Sequence, residues 1–273
     1  MHYHHGMCLI ALAWKVHPRY PLVLIANRDE AHARPTAAAD YDPDAPDVYG
    51  GRDLVAGGGW LQVSARARLA AVTNVRNGHA PEAAARSRGW LVRDFVRGAA
   101  SATTHAASLQ PLASGFGRFN LLLWDGDELA FGSNHPAPVH HRVAPGIHAM
   151  SNGAFDAPWP KSGHATRALA AWIEAVGVGA GANGNPACTP DLFTPLFDAL
   201  TDTTAAPDAA LPDTGVGLAL ERRLSPPFIV GREYGTRCST VVLAGQREIV
   251  FLERRFGPDA VAQGESRTTL ARA

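Results

Sequence analysis

Two strand-like runs meet a polar cluster near the start of this 273-residue chain, and few folds accommodate that pattern. Leu9 to Val16 and Leu22 to Ala26 are apolar and separated by His17-Pro18-Arg19-Tyr20-Pro21, a turn signal, so they are predicted to pair as an antiparallel hairpin with Leu22 near Val16. Carried to the far end, that register sets Asp29 and Glu30 beside Leu9 and Cys8. A thiol, an arginine and carboxylates then converge where a hairpin leaves its apolar middle, a position that can expose chemistry without disturbing the core. The alternative is a small buried cysteine followed by a charged turn, because spacing alone does not make a thiol reactive.

Further along, the same device recurs. Trp60 to Val63 and Leu69 to Val75 form a second expected hairpin whose return strand delivers Thr73 and Asn74. Phe119 to Trp124 and Leu129 to Phe131 flank Asp125-Gly126-Asp127-Glu128 as a third. Ile147 to Met150 is a short strand that leads into Ser151-Asn152-Gly153, and Thr240 to Leu243 with Ile249 to Leu252 closes the set. Helical spacing marks Pro81 to about Ala107 as one helix with a short second behind it, Ser87 being a candidate cap, and also marks His164 to Ala175 and Asp191 to Leu200. Pro35 to Tyr49, without consistent period, is expected to be a surface loop, Gly177 to Pro190 a flexible connection and Thr201 to Pro212 a loose stretch. Hairpins interrupted by helical pairs imply an α+β protein with helix-covered antiparallel sheets.

A chain of this length with 46% hydrophobic residues can bury a large core, and it is read as a single domain over 8–260, with 1–7 a disordered or removed leader and 261–273 a tail. Lysine plus arginine equals aspartate plus glutamate at 25 each, so no global field favours nucleic acid or an anionic membrane. Cys8, Cys188 and Cys238 suggest neither disulfide framework nor zinc site, and no apolar run approaches the roughly 20 residues of a membrane span, so a soluble, cytoplasmic protein is expected. The histidines of Met1-His2-Tyr3-His4-His5-Gly6 lack a fixed geometry, and Gly57-Gly58-Gly59 lacks the strand, lysine and helix of a phosphate cradle. No metal or cofactor is called for.

Ala26-Asn27-Arg28-Asp29-Glu30 resembles the motif that names the NRDE, or transport and Golgi organisation, family. Gly50-Gly51-Arg52-Asp53, Gly58-Gly59-Trp60-Leu61, Ala71 to Arg76, Met150-Ser151-Asn152, Trp159-Pro160-Lys161 and Tyr234 to Thr240 extend the likeness in order, from Met7 to about Phe256. The resemblance implies a four-layer α-β-β-α sandwich of two antiparallel sheets, similar to N-terminal nucleophile hydrolases, with the nucleophile opening a strand.

On that likeness Cys8 is the expected nucleophile of an amidohydrolase cleaving a small amide through an acyl-enzyme, and its α-amine, once freed, the base. Arg28 would favour the thiolate, Asp29 orient the amine, Asn74 and Asn152 contact the oxyanion, and Arg237 close the cluster. Asn27, Glu30, Trp60 and Thr73 are the expected substrate contacts. Each has a structural alternative: Arg28 can pair with Asp29, the two asparagines can close turns, and Arg237 can anchor a bulge. The family's association with haem trafficking, lipid handling and Golgi organisation implies a second function on the same scaffold, a carrier of haem or a lipid-like acyl ligand. A papain-like arrangement would need a histidine beside Cys8, and neither His32 nor His79 has a recognisable context.

Overall fold

The computed structural model describes residues 7–78, 84–179 and 190–272. In chain order the strands are β1 (Met7–Trp14), β2 (Leu22–Ala31), β3 (Thr36–Asp42), β4 (Ala45–Asp53), β5 (Leu61–Ser64) and β6 (Arg68–Asn74). The helices α1 (Gly89–Arg97) and α2 (Ala102–Leu109) follow, then β7 (Phe119–Trp124), β8 (Leu129–Ser133), β9 (Val139–Arg142) and β10 (Gly146–Met150). Beyond these come α3 (Pro160–Gly179), α4 (Pro190–Leu200), α5 (Leu218–Arg223), β11 (Tyr234–Ala244), β12 (Glu248–Phe256) and β13 (Ala262–Ala271). Antiparallel pairing builds a six-stranded sheet ordered β10-β1-β2-β11-β12-β13 and a seven-stranded sheet in which β3 to β9 pair in sequence order.

The period of two along each strand generates the layers. In β1, Ile10, Leu12 and Trp14 join Leu22 and Leu24 of β2 against Leu61, Val63, Leu122 and Trp124 of the other sheet, forming the core between the sheets. The intervening Leu9, Ala11 and Ala13 turn the other way, onto Ala165, Leu169 and Trp172 of α3 and Leu196 and Phe197 of α4. On the far side, Val72, Leu121 and Leu123 pack on Leu91, Val92 and Phe95 of α1 and Ala102 of α2. Helices, sheet, sheet, helices is therefore the layer order, as expected. Each of the larger buried side chains contributes roughly 1.5–3 kcal/mol, so a Leu24→Ala cavity in the central layer is worth about 2–5 kcal/mol.

The first hairpin forms with its register displaced by two residues from the expected one: Leu22 faces Trp14 rather than Val16, and Cys8 faces Arg28. The strand stops early because Lys15 takes a left-handed backbone (φ 53°), and its amide donates to Pro21 O at 2.8 Å, closing a longer turn. An even shift preserves every residue's face, which is why the core assignment survives it.

Pro35 to Tyr49 is not a loop but mostly β3 and the first half of β4. β3 is an edge strand that pairs with β4 alone, and an edge half open to solvent tolerates the Asp and Ala content that hid it. Two further edge strands correct the sequence reading. β9 is exposed throughout, and residues 262–271, taken as a tail, pair with β12 along nearly its whole length. The helix and the short second one expected over Pro81 to Ala107 are α1 and α2, and the cap of α2 is Ser101, which accepts from the Thr104 amide. Ser87 precedes the Arg88 cap position of α1 and accepts from the Gly89 amide at 3.2 Å. Residues 1–6 of the expected leader, His79, Cys188 and most of the connection before Pro190 lie outside the described residues, whereas Met7 opens β1 opposite Asp29.

Candidate functional site

Cys8 shares its face of β1 with Ile10 and Leu12, so the strand carries it to the open end of the inter-sheet layer. There it lines a cavity of about 1300 Å³ together with Arg28, Asp29, Glu30, Trp60 and Asn74. Ser151, just beyond β10, donates its hydroxyl to Cys8 O at 2.8 Å and fixes the strand end. Burial first, and then the Asp29 charge, push the Cys8 thiol up to about 12. The expectation that Arg28 would favour the thiolate is therefore outweighed: its cation acts in that direction, but desolvation is larger.

Arg28, directly opposite Cys8, is itself only 7% exposed. Its guanidinium stacks 4.2 Å from the Trp60 ring centroid, donates to Thr36 Oγ1 at 3.2 Å and lies 3.8 Å from Glu30. Trp60 thus forms the floor for a cation held between the two sheets. Glycines make room for this arrangement: a Cβ on Gly51 would run into the Trp60 ring, and one on Gly58 (φ +80°) would run into the backbone of Gly89. The glycine words of the sequence serve close packing of a tryptophan and of the start of α1.

Asp29 is 1% exposed, and its Oδ1 accepts from Thr236 Oγ1 at 2.6 Å while Oδ2 has no partner. Burial raises its carboxyl to about 6, against the opposing pull of Lys161. Arg28 and Asp29 point to opposite sides of β2 and do not pair with each other; the arginine's ion pair is with Glu30.

Asn74 ends β6 and Asn152 follows β10, so each comes from a different sheet. Asn152 Nδ2 donates to Asn74 Oδ1 at 2.7 Å and to Asn74 O at 3.0 Å. The Arg76 amide donates to Asn152 O at 2.8 Å. With its oxygen so engaged, Asn74 turns its Nδ2 away, and that buried donor has no partner.

Four of the expected residues, Arg237, Asn27, Thr73 and Asn152, do not line the cavity. Arg237 sits in a β-bulge, and its Nη1 donates to Ala31 O at 3.0 Å, Arg34 O at 3.2 Å and His32 O at 3.4 Å. It lines a second, smaller cavity of about 330 Å³ that shares Arg28 and Trp60 with the first, and it braces the 31–34 segment from that side. Asn27 faces the helical layer, donating to Leu200 O at 2.7 Å and Pro227 O at 2.8 Å, and accepts from Ser239 Oγ at 2.6 Å. Thr73 is spent on Ser151 O at 2.6 Å. Neither lines the cavity. Cys238, raised well above its usual value by burial, faces Arg28 from the other side and is not accessible chemistry. Asn152 reaches the cavity only through Asn74.

Sequence reading missed Lys161. It is 3% exposed, its Nζ makes one long hydrogen bond to Leu224 O at 3.4 Å, and burial lowers it to about 8. The available signal was a lysine right after the proline that starts a helix, where the macrodipole disfavours a cation. Arg76 and Glu221, each 3% exposed, form a 2.6 Å ion pair beneath the same region, and Glu221 also accepts from Thr214 at 2.6 Å. Among the described residues no group of three or more His, Cys, Asp or Glu side chains is placed to hold a metal ion, and no helix is long and apolar enough to cross a membrane.

A two-sheet sandwich that holds a cysteine near the start of a strand, a buried arginine and a linked asparagine pair at one end defines a recognisable class of chain. The model of the transport and Golgi organisation 2 family matches residues 7–258, and the protein belongs to that family. The mouse transport and Golgi organization 2 homolog is 28% identical, with 96% of this chain and 98% of that one aligned. The human homolog is 29% identical over the same shares. Among solved structures, a Caenorhabditis elegans ortholog of N-acylethanolamine-hydrolyzing acid amidase gives a TM-score of 0.46 at 10% identity, covering 86% of this chain and 92% of that one. A cysteine-to-alanine mutant of conjugated bile acid hydrolase from Clostridium perfringens gives 0.44 at 9% identity, covering 96% and 92%.

Proposed function

We propose that this protein is a cysteine amidohydrolase that cleaves the C–N bond of a small amide through a thioester on Cys8. The observation that carries the reading is the buried Nδ2 of Asn74, which has no partner, in the wall of the cavity that also receives the Cys8 thiol. A donor held in place and unsatisfied is costly, about 1–3 kcal/mol, unless a ligand oxygen completes it. An amide oxygen that becomes an oxyanion does so, and gains most as its charge develops.

The reaction requires a base. When the residues before Cys8 are removed, its α-amine lies where Met7 now pairs with Asp29, close to the ordinary pH range for a proton acceptor. The amine takes the thiol proton, and sulfur attacks the amide carbon. The C–N bond then breaks as the ammonium returns that proton to the leaving amine. Water adds to the thioester, giving its proton to the α-amine, and the C–S bond breaks to release a carboxylic acid and restore Cys8. Arg28 orients the anion, and Glu30 and Trp60 shape the substrate wall.

Intact mass and N-terminal sequencing of protein from its native host test the premise, and amide turnover by wild type against Cys8→Ala tests the chemistry. Turnover lost in Cys8→Ala with the fold intact is the expected result; turnover retained sinks the reading.

One observation favours a second reading, a carrier for haem or a lipid-like acyl ligand. With β1 continuing through Met7 the thiol stays near 12 and has no base, while the cavity of about 1300 Å³ exceeds the roughly 300–1,000 Å³ of ordinary ligand pockets. Titration with haem would give a Soret band at micromolar protein, and its absence removes the haem version.

A further inference from the structure

Two oppositely charged groups are buried in the layer behind Cys8 without touching. Asp29, on the helix-facing side of β2, keeps Oδ2 without a partner, although only 1% of the residue is exposed. Lys161, in the first turn of α3, is 3% exposed and has a single hydrogen bond, at 3.4 Å. Its one protein hydrogen bond is long and its side chain is buried, and an unpaired buried charge is ordinarily expelled or neutralised. Its position also opposes the helix macrodipole, which stabilises anions at an N-terminus by about 0.3–1 kcal/mol and penalises cations.

We propose that Lys161 is a positioning residue that supplies the counter-charge to Asp29 from beneath the sheet and so sets the pH range over which Asp29 can hold an ammonium beside Cys8. The proposal deepens the hydrolase reading and rests on it for its catalytic consequence. The surroundings of both groups are consistent with this division of labour. The charges that act on Asp29 are those of Lys161 on α3, Cys8 on β1 and Arg28 and Glu30 on its own strand, and Thr236 of β11 donates to it. Lys161 is faced by Asp29, Cys8, Arg76 and Glu221. The Arg76 charge is already matched by Glu221 at 2.6 Å and the Arg28 charge by Glu30 at 3.8 Å, which leaves Lys161 as the cation whose principal counterpart is Asp29. The opposed directions agree: burial drives Asp29 toward its neutral form and Lys161 toward its own, and each charge restrains the other. A carboxylate kept ionised through neutral pH can receive the new α-ammonium of Cys8; a protonated one cannot.

The test reads Asp29 itself rather than turnover. In full-length protein labelled with 13C at aspartate side-chain carboxyls, the Asp29 signal, assigned by its loss in Asp29→Asn, titrates near 6 in the wild type. In Lys161→Met that midpoint is expected to rise by about one unit or more, a tenfold change in proton affinity, and Lys161→Arg is expected to restore it. An unmoved midpoint in Lys161→Met overturns the proposal. Should Lys161→Met fail to fold, the reciprocal measurement decides: linkage requires Asp29→Asn to lower the Lys161 midpoint from about 8, and no change there overturns it equally. Where turnover is found, its acid limb moves with the Asp29 midpoint. Absence of Cys8-dependent turnover in the wild type would count against the hydrolase reading and leave the titration result intact. Turnover with an unmoved midpoint would do the reverse.

Discussion

Asn152 reaches from the end of one sheet to Asn74 at the end of the other, 2.7 Å from amide nitrogen to amide oxygen, and thereby decides which end of the Asn74 amide is left without a partner. Asn152 Nδ2 also donates to the Asn74 backbone O at 3.0 Å, so the Asn152 amide is fixed by two donations and holds the Asn74 side chain through its Oδ1. A catalytic donor is useful only when held in advance of the charge it stabilises, and here the holding group belongs to a different sheet from the one it holds.

Asn152→Ala should therefore be read at two levels. Loss of both donations leaves buried acceptors on Asn74 and is expected to cost about 2–3 kcal/mol, measured as a lower urea midpoint with an unchanged m value. Asn74→Ala removes the free donor itself and is expected to lower kcat on an amide substrate by about 10²–10³-fold. A variant of Asn74 with unimpaired kcat would remove Asn74 from the oxyanion role.

The Arg76–Glu221 pair underlies that link, since the Arg76 amide holds Asn152 O while its side chain is bound to Glu221. Glu221→Ala leaves a buried guanidinium beside Trp159 with its strongest partner gone, 5.2 Å from the ring centroid. The expected cost is about 3–5 kcal/mol by chemical denaturation, much larger than for an exposed pair such as Arg222 with Asp208. Equal costs for the two pairs would contradict the account.

What could be read from the sequence follows physical lines. Strands buried on both faces, such as β1, β2, β7 and β11, announce themselves as apolar runs, and the two asparagines at strand ends were found because residues of that type after a strand are conspicuous. β3, β9 and β13 were missed because each is an edge or near-edge element whose solvent face carries Asp, His, Glu or Arg. Proximity in sequence misled where side-chain parity mattered: Asn27 is adjacent to Arg28 but points into the helical layer, where it ties β2 to α4 and to the chain before β11. Arg237 was placed at the cluster by its motif, and the bulge at that residue redirects it to backbone carbonyls. Lys161 could not be assigned a partner because Asp29 lies 132 positions away and only the packing of α3 on β1 brings them near.

The Trp60 floor makes a prediction of its own. Gly51 has no room for a methyl group against the Trp60 ring, and the Trp60 backbone is held through the Val72 amide at 2.9 Å. Gly51→Ala must therefore turn the ring out from under Arg28, at an expected cost of about 1–3 kcal/mol. In a Trp60→Ala background the same substitution should cost almost nothing, because the two effects share one contact. Additive costs in that cycle would mean that Gly51 is constrained by something other than Trp60.

Acid should expose a weakness in the first turn. His17 is 5% exposed, and its Nδ1 accepts from the amides of Arg19 at 3.1 Å and Tyr20 at 3.2 Å, so the ring is neutral with its proton on Nε2. Charging it would put a proton on the accepting nitrogen and break both bonds; burial, with Arg19 adding to it, lowers its pKa to about 4. In the unfolded chain the ring titrates near 6.5, so between about 4 and 6.5 the unfolded state binds more protons than the folded one, and stability rises with pH across that window. The contribution is complete above 6.5 and is lost as pH falls to about 4, a change of roughly 2–3 kcal/mol. Asp29 acts with the opposite sign between its unfolded value and about 6, since its folded carboxyl holds the proton longer and stability from that group falls as pH rises. The two contributions partly cancel in the wild type, so the informative comparison is His17→Asn, whose side-chain oxygen can accept from the same two amides without titrating. The difference in unfolding free energy between wild type and His17→Asn, followed by urea denaturation from pH 4 to 7, should rise with pH across the His17 window, because every other titrating group is common to both proteins; profiles that stay parallel would show that His17 does not govern the acid limb.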